Sequence, residues 1–380
     1  MEINRTRLRD TAQQLVQIPS HQEVDSISNH ILHELKDTGL DSVYRDRDGN
    51  IIGTIGHGDG LLLNAHLDTV DVQGFDGDPY SGRIQDNRLI GRGASDCKAG
   101  VAAMMEIARV LSGQDLPRRL IFAFTVWEEG GAGGTNGAFG AARRADATEA
   151  IVLESTVKSP TQMNVEAGCG GILRMDITVR GKAGHSSDPD NGDNAVYRAA
   201  DFVTRFQKCF VSEKMPETET QVLGKTIELQ SVVSLTEIHA MQGRNIIPDR
   251  CLIGLDCRLF PGQDEKAIKD RITALAKNYE DDYVRFTTTS SIPGHFCEKT
   301  ELIQNCISAA KKNGFQSTPE ITMSRTDSTV FHNEAGIPAV VFGPGTSGEA
   351  HTKNESLHLP SFYSGTQACL DAVTPDTYES

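Results

Sequence analysis

The chain has 380 residues, which at roughly 150 residues per domain points to two or three domains, one of them open to interruption. A composition of 38% hydrophobic and 23% charged residues is that of a folded globular protein, not a disordered chain. The 37 Lys and Arg against 52 Asp and Glu leave a formal charge of −15 with no basic block, which excludes a nucleic-acid-binding surface and implies a solvated acidic one.

The first residues, Met1 to Arg7, lack the apolar core of a signal peptide, and the run Leu120 to Trp127 is too short to span a bilayer. No membrane partner is expected. Eight cysteines are scattered without a Cys-x-x-Cys pair, which fits neither a disulfide framework nor a thiolate zinc site. Reduced thiols in the cytoplasm are expected.

In chain order, Ile27, Ile31, Leu32 and Leu35 mark one face of a helix that stops at Gly39, and Leu61 to Ala65 read as a buried strand. Val101, Met104, Met105, Ala108 and Leu111 predict a second helix ending at Gly113, followed by buried strands at Leu120–Trp127 and Ala150–Leu153. Strands alternating with helices predict an α/β domain with a mostly parallel sheet. After Gly168-Cys169-Gly170-Gly171 the pattern changes. Leu173 to Val179, Ile227 to Val233 and Cys251 to Leu259 alternate strictly, as strands with one wet face do, and helical patterns run from Val196 to Val203 and from Ile268 to Ala276. A helix at Leu302–Lys312 and a buried strand at Pro338–Phe342 then resume the first pattern. The expected fold is a discontinuous catalytic α/β domain, 1–172 and 290–380, its mostly parallel sheet flanked by helices, interrupted by a smaller α/β domain at 173–289.

In open α/β sheets ligands bind beyond the carboxyl ends of the strands. There the sequence supplies His66-Leu67-Asp68, Glu128-Glu129 and Glu154 after three consecutive strands, with Asp96 just before the Val101 helix. Such a convergence of imidazole and carboxylates fits a metal centre. Residues i and i+2 of an extended segment point the same way, so Asp68 can accept from the His66 nitrogen that does not face a metal. Glu128 and Glu129 point in different directions, which suits one as a ligand and the other as a base. Gly130, Gly131, Gly133 and Gly134 permit a tight backbone beside them.

Together with Asn64-Ala65-His66-Leu67-Asp68, Gly91 to Lys98, Trp127 to Gly130, Glu154, Gly181 to Ser187 and His351, this constellation resembles the dinuclear zinc family of peptidases and deacylases that includes acetylornithine deacetylase, succinyl-diaminopimelate desuccinylase, aminoacylase and glutamate carboxypeptidase. The resemblance implies that Asp96 bridges two divalent metals, that His66 and Glu154 complete one site and Glu129 and His351 the other, and that Glu128 is the general base. It selects His351 over His358 by its register after Val340 to Gly345 and before Glu355. Zinc is the expected metal, and the oxygen-rich ligand set also admits cobalt or manganese. The resemblance further makes 173–289 a dimerisation or lid domain of a homodimer, whose His185 reaches the partner's site to stabilise the developing oxyanion and whose Asn245 and Arg258 hold substrate.

The implied reaction is hydrolysis of an amide bond that releases an amino acid from an N-acyl amino acid. A carboxypeptidase or dipeptidase of the same family is the alternative, and a non-catalytic binder of acylated amino acids or peptides is the reading from another class. Glutamate at 154 resembles the deacylases and carboxypeptidases, since relatives acting on carbamoyl bonds carry histidine there. In the stretch Ser324 to Thr329 the Arg that follows the aspartate in desuccinylase-like members is missing, which argues against a dicarboxylic acyl group. His332 is assigned to packing or surface, and Cys97 to a buried structural thiol.

Overall fold

Alternation of short apolar runs with amphipathic helices builds the larger of two units in this computed structural model, which describes residues 1–130, 135–212, 215, 217–240, 242–276 and 283–375. That unit comprises Met1–Gly168, Phe296–Ile321 and Thr326–Ser380. Its helices before the insertion are α1 (Arg5–Val16), α2 (Asp25–Lys36), α3 (Lys98–Leu111) and α4 (Ala138–Arg144). Its main strands there are β1 (Ser42–Arg45), β2 (Ile51–Ile55), β3 (Gly60–His66), β4 (Arg119–Thr125), β5 (Glu149–Ser159) and β6 (Val165–Cys169).

The smaller unit comprises Cys169–His295 with Thr322–Arg325. It holds β7 (Gly171–Arg180), α5 (Ala195–Phe206), β8 (Val232–His239), β9 (Arg250–Leu259), α6 (Glu265–Ala274) and β10 (Val284–Ile292). The larger unit resumes with α7 (Thr300–Lys312), α8 (Asp327–Ala335), β11 (Ala339–Thr346) and α9 (Leu359–Val373).

The main sheet runs β1-β2-β4-β3-β5-β11-β6. Its centre is parallel, β4 with β3, β3 with β5 and β5 with β11, while β1-β2, β2-β4 and β11-β6 are antiparallel. Every residue of β3 is buried, as a strand covered on both faces requires. On α3 the predicted face is buried, and so are most of its other positions, because the helix lies against β3, β5 and α1. Gly100 permits this approach: a Cβ there would stand 2.1 Å from the Leu153 carbonyl oxygen. Among the described residues no helix is long and apolar enough to cross a membrane.

The smaller unit is a four-stranded antiparallel sheet, β8-β9-β7-β10. Its core joins Leu173, Met175, Ile177 and Val179 with Cys251, Ile253, Leu255 and Cys257, covered by Ala199, Phe202 and Phe206 of α5 and Ile268 and Ile272 of α6. The unit is wider than 173–289, since β7 already begins at Gly171 and β10 runs to Ile292, where Gly, Thr and Ser hide the apolar alternation. Thr322–Arg325 belongs with it, the Gly170 amide donating to the Thr322 carbonyl at 2.8 Å. A second departure lies at Ile227–Val233, which is two strands. Lys225–Gln230 folds back on Glu217–Val222 through Leu223 and Gly224, both left-handed, and only Val232–His239 joins the sheet.

Candidate metal centre

Four stretches of the larger unit deliver the candidate residues. His66 is the last residue of β3, Glu128 and Glu129 follow β4, and Asp96 precedes α3. Glu154 lies within β5 instead of at its end, because β5 runs on to Ser159 and pairs with β11 as far as Val157; its pairing with β3 ends at Asn64–Val152, so the β3 side of the strand opens there.

The two oxygens of Asp96 face different imidazoles. Oδ1 lies 3.0 Å from His66 Nε2 and Oδ2 lies 3.4 Å from His351 Nε2, which is also 2.8 Å from Glu129 Oε1. Ligand-type atoms of Asp96, Glu129 and His351 all fall within 4.8 Å of one another, as do those of His66, Glu128 and Glu129. His66 Nδ1 donates to the Asp68 carbonyl at 2.9 Å; that oxygen can only accept, so in the neutral imidazole Nε2 is the nitrogen that carries the lone pair. The sequence had suggested the Asp68 carboxylate for this role. At 3.7 Å it is too far, and it accepts instead from the backbone amides of Glu128 at 3.1 Å and Glu129 at 3.0 Å. Asp68 therefore orients the two glutamates.

The electrostatics are those of crowded carboxylates whose neighbouring cations are the two imidazoles. Burial and the neighbouring Glu128 push the Glu154 carboxyl well above the usual range, and its Oε1 is buried with no hydrogen-bond partner. Burial opposes ionisation of Asp96, yet hydrogen bonds from His351 and His66 hold its carboxyl below the usual range. Burial likewise pulls His66 down, but Cys97, Asp96 and Asp68 outweigh it and raise the imidazolium well above its ordinary value. Hydrogen bonds to Asp96 and Glu129 raise His351 to about 10. An orphaned buried carboxylate oxygen, two imidazoles and a shared aspartate form the donor set a pair of divalent cations would satisfy.

Two backbone positions near the centre are held in the left-handed region without glycine, Trp127 at φ 65° and His351 at φ 61°. A bulky residue there is strained, and such strain persists where the surroundings fix it. Gly130 has φ 72°; Gly131, Gly133 and Gly134 lie outside the described residues. His358 is set apart from the centre, its Nδ1 paired with Ser361 Oγ at the start of α9. His332 is half-buried on α8, and all eight cysteines are free, seven of them buried, Cys97 among them.

Sequence reading missed Glu355. It is fully buried and accepts from the amides of Gly93 at 2.9 Å and of Ser95 and Asp96 at 3.0 Å, while pairing with buried Arg92 at 2.9 Å. This one carboxylate shapes the loop that presents Asp96. A lone glutamate some 260 positions away in sequence carries no local signal of that role.

In the smaller unit, His185 pairs in register with Ile246, and the Ser186 amide donates to the Asn245 carbonyl at 3.0 Å, so His185 and Asn245 are neighbours. The Ser187 amide donates to His185 Nδ1 at 3.2 Å, which leaves the ring proton on Nε2 in the neutral form. Arg258 is not with them. Its Nε donates to Asp256 at 2.8 Å, as Arg174 does at 3.0 Å. Between the partners Ile172–Arg258 and Arg180–Arg250 of the β7–β9 ladder lie eight positions, 250 to 258, or roughly 26 Å at about 3.3 Å each, and His185 lies beyond that end.

A sequence model of peptidase family M20/M25/M40 matches residues 62–374. The chain is 29% identical over 372 residues to the uncharacterized protein YgeY of Escherichia coli (strain K12), covering 90% of this chain and 87% of that one. It is 27% identical over 305 residues to acetylornithine deacetylase of Myxococcus xanthus, covering 78% and 74%. The crystal structure of aminopeptidase PepT from Bacillus cereus superposes with a TM-score of 0.76 at 21% identity, covering 98% of both chains, which shows the fold.

Proposed function

We propose that this chain, which belongs to peptidase family M20/M25/M40 and is thereby a metal-dependent amide hydrolase, releases an amino acid from an N-acyl amino acid. The observation that carries the reading is the division of Asp96, one oxygen toward His66 and the other toward His351. His66 and Glu154 would hold one metal, Glu129 and His351 the second, and Asp96 both. Zinc is the metal we assign, and cobalt or manganese suits the same donors. Bound there, the pair supplies polarisation of the scissile carbonyl and a water nucleophile at neutral pH.

The chain's own groups do the rest. Glu128, its backbone fixed by Asp68, takes a proton from the attacking water and delivers it to the leaving nitrogen. His185 presents Nε2–H as a donor to the carbonyl oxygen as negative charge develops. Arg258, with Asp256 fixing its Nε, offers its outer nitrogens to the carboxylate of the substrate. Arg258 stands at one end of a ladder roughly 26 Å long, and the segments that carry His185 and Asn245 leave from its other end, which argues against all three meeting on one small substrate within one subunit. We therefore assign the active form to a homodimer through the lid unit, with His185 and Asn245 serving the partner's site. Seven buried free thiols support a reducing, cytoplasmic setting.

A hydrolysis screen of N-acetyl amino acids, N-succinyl amino acids and dipeptides with metal restored tests the assignment. Preferred turnover of N-acetyl amino acids is expected. Preference for dipeptides would move the enzyme to the peptidases, preference for succinyl groups would overturn the monocarboxylic assignment, and no turnover at all would leave a binding protein.

A further inference from the structure

The segment that carries Glu128 and Glu129 leaves the sheet after Thr125 and returns at α4, and its two ends are fastened together at the base. The Gly137 amide donates to the Val126 carbonyl at 2.7 Å. Buried Asn50 spans the same two residues, accepting from the Val126 amide at 3.2 Å and donating to the Gly137 carbonyl at 3.0 Å. The residues one position before each of these, Thr125 and Asn136, both meet Asp327, fully buried at the first turn of α8. Its Oδ2 accepts from Thr125 Oγ1 at 2.8 Å and its Oδ1 from Asn136 Nδ2 at 2.9 Å. Thr125 Oγ1 in turn accepts from Asn64 Nδ2 at 2.9 Å, two residues before His66.

We propose that Asp327 is a positioning residue that clamps the neck of the Glu128–Glu129 segment and sets the distance of Glu129 from Asp96 and His351. This rests on the metal-centre reading above. A carboxylate suits the position because it accepts on both oxygens at once, and the start of α8, capped by Thr326, favours its negative charge. Thr125, Asp327 and Asn136 form one continuous hydrogen-bonded chain, buried at Thr125 and Asp327 and half-buried at Asn136, in which each bond polarises the next. Loosening the clamp should act on the metal held by Glu129 and His351. The His66–Glu154 position should be spared, since His66 lies on β3 and Glu154 on β5, outside the clamped segment.

The test uses the full chain, zinc titrations read by elemental analysis and calorimetry, and turnover of an N-acetyl amino acid. Wild type should bind two zinc ions; fewer would refute the metal-centre reading itself. Asp327→Ala should keep one tightly held zinc and bind the second about 10–100-fold more weakly, with kcat lowered more than KM is raised. The exchanged pair Asn136→Asp with Asp327→Asn rebuilds both hydrogen bonds, the one between positions 136 and 327 with donor and acceptor exchanged and the one from Thr125 Oγ1 in its original direction, and should recover the second zinc. Retention of both ions at wild-type affinity in Asp327→Ala would overturn the clamp, as would equal weakening of both. If Asp327→Ala fails to fold, the exchanged pair decides alone, and a folded exchanged variant that lacks the second zinc overturns the proposal.

Discussion

Around Asp96 most of the candidate groups are held by buried partners, the exposed His351 being the exception, whereas His185 and Asn245 in the inserted unit stand exposed and Arg258 lies half-exposed on an open sheet face. Asp68 and Glu355, both fully buried, hold five backbone amides of the metal centre between them, those of Glu128 and Glu129 and those of Gly93, Ser95 and Asp96. The lid residues have only local support, Ser187 for His185 and Asp256 for Arg258. The contrast separates two tasks. Groups proposed to hold charge at fixed distances are preorganised by the core, and groups proposed to meet substrate are left on the surface.

Three substitutions probe that division, from the largest effect to the smallest. Asp96→Ala should lose both metals together and all turnover, because one carboxylate faces both imidazoles; elemental analysis showing two metals per chain would contradict the bridge. Glu355→Ala leaves Arg92 buried without its partner and three amides orphaned, so thermal or denaturant unfolding should register a loss of about 3–5 kcal/mol. An unchanged melting temperature would show that the loop around Asp96 stands without it. His185→Ala should retain fold and metal content while lowering kcat about 100-fold, the ordinary cost of one oxyanion donor. Unchanged kinetics would return His185 to the surface.

The same contrast explains what the sequence could disclose. His66, Asp96, Glu128 and Glu129 were legible as candidates because periodicity places them where β3 and β4 end and α3 begins, whereas Glu154 was expected at a strand end and lies within β5. His351 sits in a loop with a left-handed backbone, where no period applies, and it was reached through family register alone. Asp68 was located by the two-residue repeat, but that repeat says nothing of whether a carbonyl or a carboxylate meets the imidazole. Glu355 and Asp327 served in the sequence only as marks of family register and Asn50 not at all, and the holding roles of all three were invisible. Each satisfies donors from segments distant in sequence, and in the chain itself each looks like an ordinary polar surface residue. Arg258 was correctly placed on a strand, yet its distance from His185 depends on the ladder register, which periodicity leaves open.

The most direct test of the central claim is Glu128→Gln, measured for metal content and turnover on the same preparation. Glu128 is assigned proton transfer and its amide is fixed by Asp68 whatever its side chain, so two metals per chain should remain while kcat falls by about 10²–10⁴-fold. Turnover above a tenth of wild type with both metals bound would contradict the account.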